Sequence, residues 1–258
     1  MRIQDKIIVI TGGASGLGLA TARHLRKDKG ARIAIFDLNE AAGEQAVAEL
    51  GADHAVFVKT DVSDETSVQQ AVDAVIDRFG AIHVCINAAA LPNPCKVLGK
   101  DGKATPLARF AQVTAVNLNG VFNVMSKCAE QMAKNEPEAG EERGVVINIS
   151  SGAAYEGQIG QCAYASSKAA LIGLNMPAAR ELGTIGVRVN AIAPGLFLTP
   201  MVSSLGEKIV SSLVERIEAP KRLGDMAEFA HCCAFIIENA YLNAETIRLD
   251  AASRLTAR

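Results

Sequence analysis

The chain has 258 residues, 49% of them hydrophobic, and carries 26 Lys and Arg against 28 Asp and Glu for a net charge of −2. That is apolar content enough for one large core, so residues 1–258 are read as a single domain; the charge balance, without a basic tail, argues against a nucleic-acid partner. No stretch approaches the roughly 20 apolar residues of a membrane span, and Met1–Lys6 runs into a strand without the apolar segment of a secretory signal, so a soluble, cytoplasmic protein with no membrane partner is expected. The six cysteines show no Cys-x-x-Cys spacing and the four histidines are scattered, which predicts reduced thiols and no metal site.

Seven short β-rich runs alternate with stretches of helical periodicity: Lys6–Ile10, Arg32–Phe36, Ala55–Val58, Ile82–Ile86, Val145–Ile149, Val187–Ile192 and Thr246–Leu249. Strands separated by helices imply an α/β chain with a doubly wound parallel sheet covered on both faces. The first run ends in Thr11-Gly12-Gly13-Ala14-Ser15-Gly16-Leu17-Gly18, followed by a helical pattern. Glycines there let the backbone turn sharply and approach a pyrophosphate, which the helix amino end would meet: a Rossmann-type turn, although tight turns use glycine for conformational reasons alone. The second run ends in Asp37, nineteen residues past Gly18. A carboxylate there either accepts hydrogen bonds from the adenosine ribose and repels a 2′-phosphate, favouring NAD over NADP, or caps the helix beginning near Asn39. Asp61-Val62 and Asn87-Ala88 end the third and fourth runs, either beside the cofactor or as ordinary turn residues.

Leu91 to Pro106 is irregular, with three prolines and two glycines, and Glu136 to Gly144 is acidic and glycine-flanked; both are expected to project as loops. Asn117 interrupts an apolar helical segment, where it either is solvated or disturbs the helix and frees a carbonyl for a water. Ser151 follows the fifth run, at the carboxyl edge where open α/β sheets keep their ligands. Tyr164 and Lys168 are four apart, one helical turn, if the chain is helical from Gln158 onward. A tyrosine titrates near ~10, and making it a base near neutrality takes about 4 kcal/mol, roughly what one ammonium at ~4 Å supplies in an effective dielectric of ~20. After the sixth run, Ala193-Pro194-Gly195-Leu196-Phe197-Leu198-Thr199-Pro200-Met201 places apolar residues between two prolines expected to stop any helix. This opens a substrate loop at about residues 194–220, read either as a lid over an apolar ligand or as packing against another subunit.

Together Thr11-Gly12-x-x-x-Gly16-x-Gly18, Asp61-Val62, Asn87-Ala88-Ala89, Asn117 with its Asn-Leu-x-Gly context, Ser151, Tyr164-x-x-x-Lys168, and Pro194-Gly195 with Thr199 resemble the short-chain dehydrogenase/reductase family over essentially the whole chain. Within that family, Glu156–Gln161, Ile192–Phe197, Arg222–Asp225 and Ile247–Asp250 look like the type-2 3-hydroxyacyl-CoA dehydrogenase branch, which includes members acting on hydroxysteroids. The resemblance implies an NAD-dependent interconversion of a secondary alcohol and a ketone, with Ser151 holding the substrate oxygen, Tyr164 exchanging its proton and Lys168 lowering the phenol pKa and bonding the nicotinamide ribose. It further implies that Asn117 holds a relay water, that Phe197 and Thr199 meet the carboxamide, and that the protein is a homotetramer. An NADPH-dependent 3-oxoacyl-carrier-protein reductase is the same-fold alternative, and a non-catalytic binding subunit the alternative from another class.

The acyl end of a CoA ester would enter under Phe197, Leu198 and Met201, with Gln158 and Gln161, taken as one helical turn apart, bonding the thioester. Lys96, Lys100, Lys103 and Arg109, against the single acid Asp101, either meet the CoA phosphates or form a solvated loop. Two positions depart from the family pattern: Ala90 stands where a glycine is usual beside the cofactor, and Ala251-Ala252 replaces a glycine pair.

Overall fold

A computed structural model describes residues 1–203 and 206–257. Seven parallel strands form one sheet in the order β3-β2-β1-β4-β5-β6-β7. The strands are β1 (Ile7–Thr11), β2 (Arg32–Asp37), β3 (Ala55–Lys59), β4 (Val84–Asn87), β5 (Gly144–Ile149), β6 (Val187–Pro194) and β7 (Thr246–Leu249). Each expected run is present, with ends displaced by no more than two residues.

Side-chain alternation explains the two-faced core. Ile8 and Ile10 of β1, Ile33 and Ile35 of β2, and Val145 and Ile147 of β5 face one side, where they meet Ala22 and Leu25 of α1 (Gly16–Lys27) and Phe229, Cys233 and Ile236 of α9 (Met226–Glu238). Ile7 and Val9, Ala34 and Phe36, and Val146 face the other, packing against α3 (Glu65–Phe79), α5 (Gly120–Met132) and α6 (Cys162–Gly183). Strands buried on both faces read as unbroken apolar runs. Asn39, Asp64 and Asp225 cap α2 (Glu40–Leu50), α3 and α9 with their side chains, the last in a reciprocal capping box with Glu228.

Three expectations change, and one departure from the family pattern gains a physical consequence. The acidic stretch before β5 is not wholly a projecting loop, because Glu142 is 6% exposed and pairs with Arg188 of β6 at 2.7 Å. A buried carboxylate is tolerated there because a guanidinium neutralises it. Segment 194–220 contains α7 (Pro200–Ser203) and α8 (Glu207–Val214), so Pro200 opens a helix instead of stopping one; proline suits a first turn, whose N–H needs no partner. Gln158 lies outside the helix, which begins at Cys162. Finally, Ala251 and Ala252 adopt φ of 49° and 57°, in the left-handed region that the usual glycines occupy freely.

That last feature makes a prediction. A left-handed alanine costs roughly 1–2 kcal/mol, partly offset because glycine loses more freedom on folding, so exposed Ala252→Gly should stabilise the fold by roughly 1 kcal/mol. Urea unfolding should show a higher midpoint at unchanged slope; a lower midpoint would mean that the alanine methyl is worth more than the strain.

Candidate active site

At the sheet centre β1 neighbours both β2 and β4, and the helices after β1 and β4 leave to opposite faces. The carboxyl ends of these strands part around a cleft of about 630 Å³. Gly12 forms its floor with φ +64°; a Cβ there would stand 2.9 Å from the Ala89 nitrogen. A Cβ on Gly18 would stand 2.3 Å from the Gly12 carbonyl, so only glycine lets α1 start this close to the turn. Ser15 precedes α1 without a side-chain capping bond and no acid sits in the first turn, which leaves the helix amino end open to an anion. Ser15, Gly16 and Leu17 line the cleft with Gly12 and Gly18.

Asp37 lines the same cleft. Its Oδ2 accepts from the Ala14 nitrogen at 3.2 Å and its Oδ1 from the Asn39 nitrogen at 3.0 Å, so it braces the glycine turn. Capping of α2 falls to Asn39, whose Oδ1 accepts from the Ala42 nitrogen at 3.1 Å. Asp61 and Val62 form the next part of the wall, with Asp61 Oδ1 accepting from both the nitrogen and the hydroxyl of Ser63. Ala88, Ala89 and Ala90 follow, and the first two donate their backbone N–H groups to Thr11 Oγ1 at 3.1 and 3.0 Å. Asn87 does not line the cleft: it is 1% exposed and donates through Nδ2 to Asn148 Oδ1 at 2.9 Å, tying β4 to β5. Leu38, 61% exposed beside Asp37, and Gln112, Ala115 and Val116 from the far wall are lining residues that no motif marks. Glycine cradle, open helix end and strand-terminal carboxylate together fit a dinucleotide.

The reactive groups stand beside β5. Ser151 Oγ accepts from the Ala153 nitrogen at 3.1 Å, opening the short 3-10 turn Gly152–Ala154, and its hydroxyl neighbours the Tyr164 phenol. Burial pushes the phenol above its ordinary pKa, and the neighbouring Ser151 hydroxyl pulls in the opposite direction without overcoming it. Lys168, one turn along α6, is 2% exposed and donates from Nζ to the Ile149 carbonyl at 2.6 Å, 5.9 Å from the centroid of the Tyr164 ring. Burial lowers its own pKa to about 8. The Lys168 ammonium is held by the end of β5, and burial is the largest influence on the tyrosine.

Asn117 is fully buried in a π-turn, Ala115–Asn119, so of its two readings it disturbs the helix between α4 (Leu107–Thr114) and α5 and is not solvated. Its Oδ1 accepts from the Leu91 nitrogen at 2.7 Å, and its Nδ2 donates to the Leu91 carbonyl at 3.0 Å and to Ser167 Oγ at 3.2 Å. Asn117 thus clamps the cleft-lining Leu91 to the catalytic helix.

The remaining expected residues diverge. Phe197 is 6% exposed and packs edge-to-face on Phe229 with centroids 5.9 Å apart, so its ring belongs to the core and is not a lid side chain. Pro194 ends β6, and Thr199 Oγ1 accepts from the Val202 nitrogen at 3.4 Å where α7 begins. Leu198 is 48% exposed and remains available as a lid side chain, whereas the Met201 side chain lies outside the described residues. Gln161 Oε1 accepts from the Gln158 nitrogen at 3.0 Å, and Gln158 Nε2 donates to the Thr256 carbonyl at 3.0 Å. These two are bound to each other and to the carboxyl-terminal segment and do not share a helical face toward a thioester.

Residues 6–209 match the family described as short chain dehydrogenase. The chain is 46% identical over 254 residues to the 3-hydroxyacyl-CoA dehydrogenase type-2 of Homo sapiens, covering 98% of this chain and 97% of that protein, and 43% identical to that of Drosophila melanogaster, covering 98% and 99%. Among solved structures, 3-hydroxyacyl-CoA dehydrogenase type-2 from Mycobacterium avium superposes with a TM-score of 0.93 at 39% identity, covering 100% of this chain and 98% of that one. A 7α-hydroxysteroid dehydrogenase complexed with NADH and 7-oxo glycochenodeoxycholic acid gives 0.88 at 26%, covering 100% and 97%. The chain belongs to the short-chain dehydrogenase family. It is an oxidoreductase acting on CH–OH groups with a nicotinamide cofactor.

Proposed function

We propose that residues 1–258 form one domain that oxidises 3-hydroxyacyl-CoA esters reversibly with NAD. The observation that carries this reading is the grouping of Ser151, Tyr164 and buried Lys168 at the end of β5, together with a dinucleotide cradle bearing Asp37. The bound nicotinamide supplies the hydride acceptor. Ser151 holds the substrate oxygen through a hydrogen bond from its hydroxyl and keeps its own proton, and Tyr164, as phenolate, takes the carbinol proton as the hydride leaves the carbinol carbon. Lys168 is buried one turn away, where its charge favours the phenolate and its Nζ can reach a ribose hydroxyl. Asn117, already a donor to Ser167 and Leu91, is proposed to hold the water that relays the proton outward. Pro194, Thr199 and the backbone at Phe197 are proposed to border the nicotinamide, and Leu198 and Met201 the acyl group. Incubation with NAD and a panel of 3-hydroxyacyl-CoA esters tests this function.

Asp37 decides the nucleotide. Its carboxylate disfavours a 2′-phosphate, which speaks against an NADPH-dependent reductase. Asp37→Ala should raise the KM for NAD and lower it for NADP, narrowing the preference by roughly tenfold, about 1.4 kcal/mol. A wild-type protein that uses NADP better than NAD would show that Asp37 serves only the glycine turn.

The basic segment between Asn93 and Phe110 supports a CoA handle. Lys96, Lys100, Lys103 and Arg109 are exposed, and among the described residues none forms an ion pair. Lys100→Glu with Lys103→Glu should raise the KM for a CoA ester about three- to tenfold at low salt and leave a pantetheine ester unaffected. Equal kcat/KM for the two wild-type substrates would point to a neutral hydroxysteroid. Assembly as a homotetramer is proposed as well, supported by Leu107, Phe122 and Met176, which are 77%, 55% and 46% exposed on α4, α5 and α6. The six free thiols fit a reducing, cytoplasmic setting, and no described helix is long and apolar enough to cross a membrane.

A further inference from the structure

Ser151 and Tyr164 lie on different elements, and the chain between them is wedged in place. Gly157 is at the middle of this segment: a Cβ there would stand 2.8 Å from the Ala165 Cβ and 3.4 Å from the Ala153 carbonyl. The backbone at Gly157 therefore sits against the residue after Tyr164 on one side and the turn opened by Ser151 on the other. Its position bears directly on how far the hydroxyl stands from the phenol.

The wedge is fastened from the far end of the chain. Arg248 on β7 donates from Nη1 to Glu156 Oε1 at 2.9 Å and from Nη2 to Glu156 Oε2 at 3.1 Å, a two-pronged pair next to Gly157. The same guanidinium donates from Nε to Asp250 Oδ2 at 2.8 Å and lies 4.5 Å from the centroid of the Tyr155 ring. Arg254 adds a bond from Nη1 to Asp250 Oδ2 at 3.1 Å. Further along, the Ile159 nitrogen donates to the Ala257 carbonyl at 3.1 Å, and the Cys95 nitrogen donates to the Gly160 carbonyl at 2.6 Å. A lone exposed ion pair contributes little, but this one is bidentate, networked and set on side chains only 23% and 25% exposed. Arg248 holds the Glu156 carboxyl below its ordinary pKa.

We infer that Arg248 is a positioning residue for the oxidation: by clasping Glu156 it seats Gly157 and fixes the turn of Ser151 relative to the helix turn that carries Tyr164. The inference rests on the Ser151–Tyr164 mechanism proposed above. Arg248 does not line the dinucleotide cleft, so its loss should act on turnover and spare cofactor binding.

Steady-state kinetics with NAD and a 3-hydroxyacyl-CoA tests it. Arg248→Met, which keeps the apolar stem and removes the fork, should lower kcat about tenfold through misplacement of the reacting groups while the KM for NAD stays within about twofold. Arg248→Lys restores the charge without the second prong and should recover part of the loss. If both residues act through one clasp, Arg248→Met with Glu156→Gln should be no slower than Arg248→Met alone. Should Arg248→Met not fold, Glu156→Gln by itself should show the same fall in kcat with unchanged KM for NAD. Unchanged kcat in the folded variants, or kcat and the KM for NAD worsening together, would overturn the clasp while leaving the catalytic reading intact. A wild-type protein inert toward secondary alcohols would overturn both.

Discussion

Tyr164→Phe should lower turnover at least ~10²-fold with NAD binding little changed. The ring keeps its packing in this variant and only the oxygen that exchanges the proton is lost. Because that oxygen works as phenolate and burial raises its pKa, alcohol oxidation should quicken as pH rises. Ser151→Ala should move this rise to higher pH, since the neighbouring serine hydroxyl lowers the phenol pKa. Comparing kcat with the NAD dissociation constant separates chemistry from binding, and near-normal turnover in Tyr164→Phe would sink the mechanism.

Arg188→Met should destabilise the fold by roughly 3–5 kcal/mol, the range for removing one partner of a buried ion pair. Arg188 is 7% exposed on β6 and meets Glu142 through Nε at 2.7 Å. Its Nη1 donates to the carbonyls of Ile236 and Leu242 at 2.9 and 2.8 Å, and its Nη2 to that of Ile237 at 2.8 Å. The last turn of α9 has no basic residue of its own, so a strand residue supplies the cation that its carboxyl end requires. Methionine would take a donor from three carbonyls and leave Glu142 to the Met1 ammonium, which meets its Oε2 at 2.7 Å. Adding Glu142→Leu should return part of the loss, measurable in urea unfolding; a single variant within ~0.5 kcal/mol of wild type would show that water replaces the guanidinium.

What could be read before the structure was known follows from the range of the interactions involved. Strands such as Val145–Ile149 are buried on both faces, and their unbroken β-branched runs announce this locally. The turn Gly12–Gly18 and the pair Tyr164 and Lys168 are also local patterns, so their placement was legible. Direction of a side chain was not. Spacing puts Lys168 one turn from Tyr164, but only the Ile149 carbonyl, nineteen residues away, captures its ammonium. Phe197 sits between prolines in an apolar loop that suits a lid equally well, and Phe229 on α9 is what draws it into the core. Glu142 looks like loop polarity until Arg188 faces it, and Glu156 like surface charge until β7 brings Arg248. Each of these corrections depends on a partner distant in sequence, which periodicity over a few residues does not encode.

The most direct test of the account is to mix the purified protein with NAD and a short 3-hydroxyacyl-CoA and follow the absorbance of the reduced nicotinamide. The account predicts steady reduction of NAD that greatly exceeds reduction of NADP, depends on the CoA ester and is abolished in Tyr164→Phe. No reduced cofactor with any 3-hydroxyacyl-CoA, or equal rates from wild type and Tyr164→Phe, would contradict it.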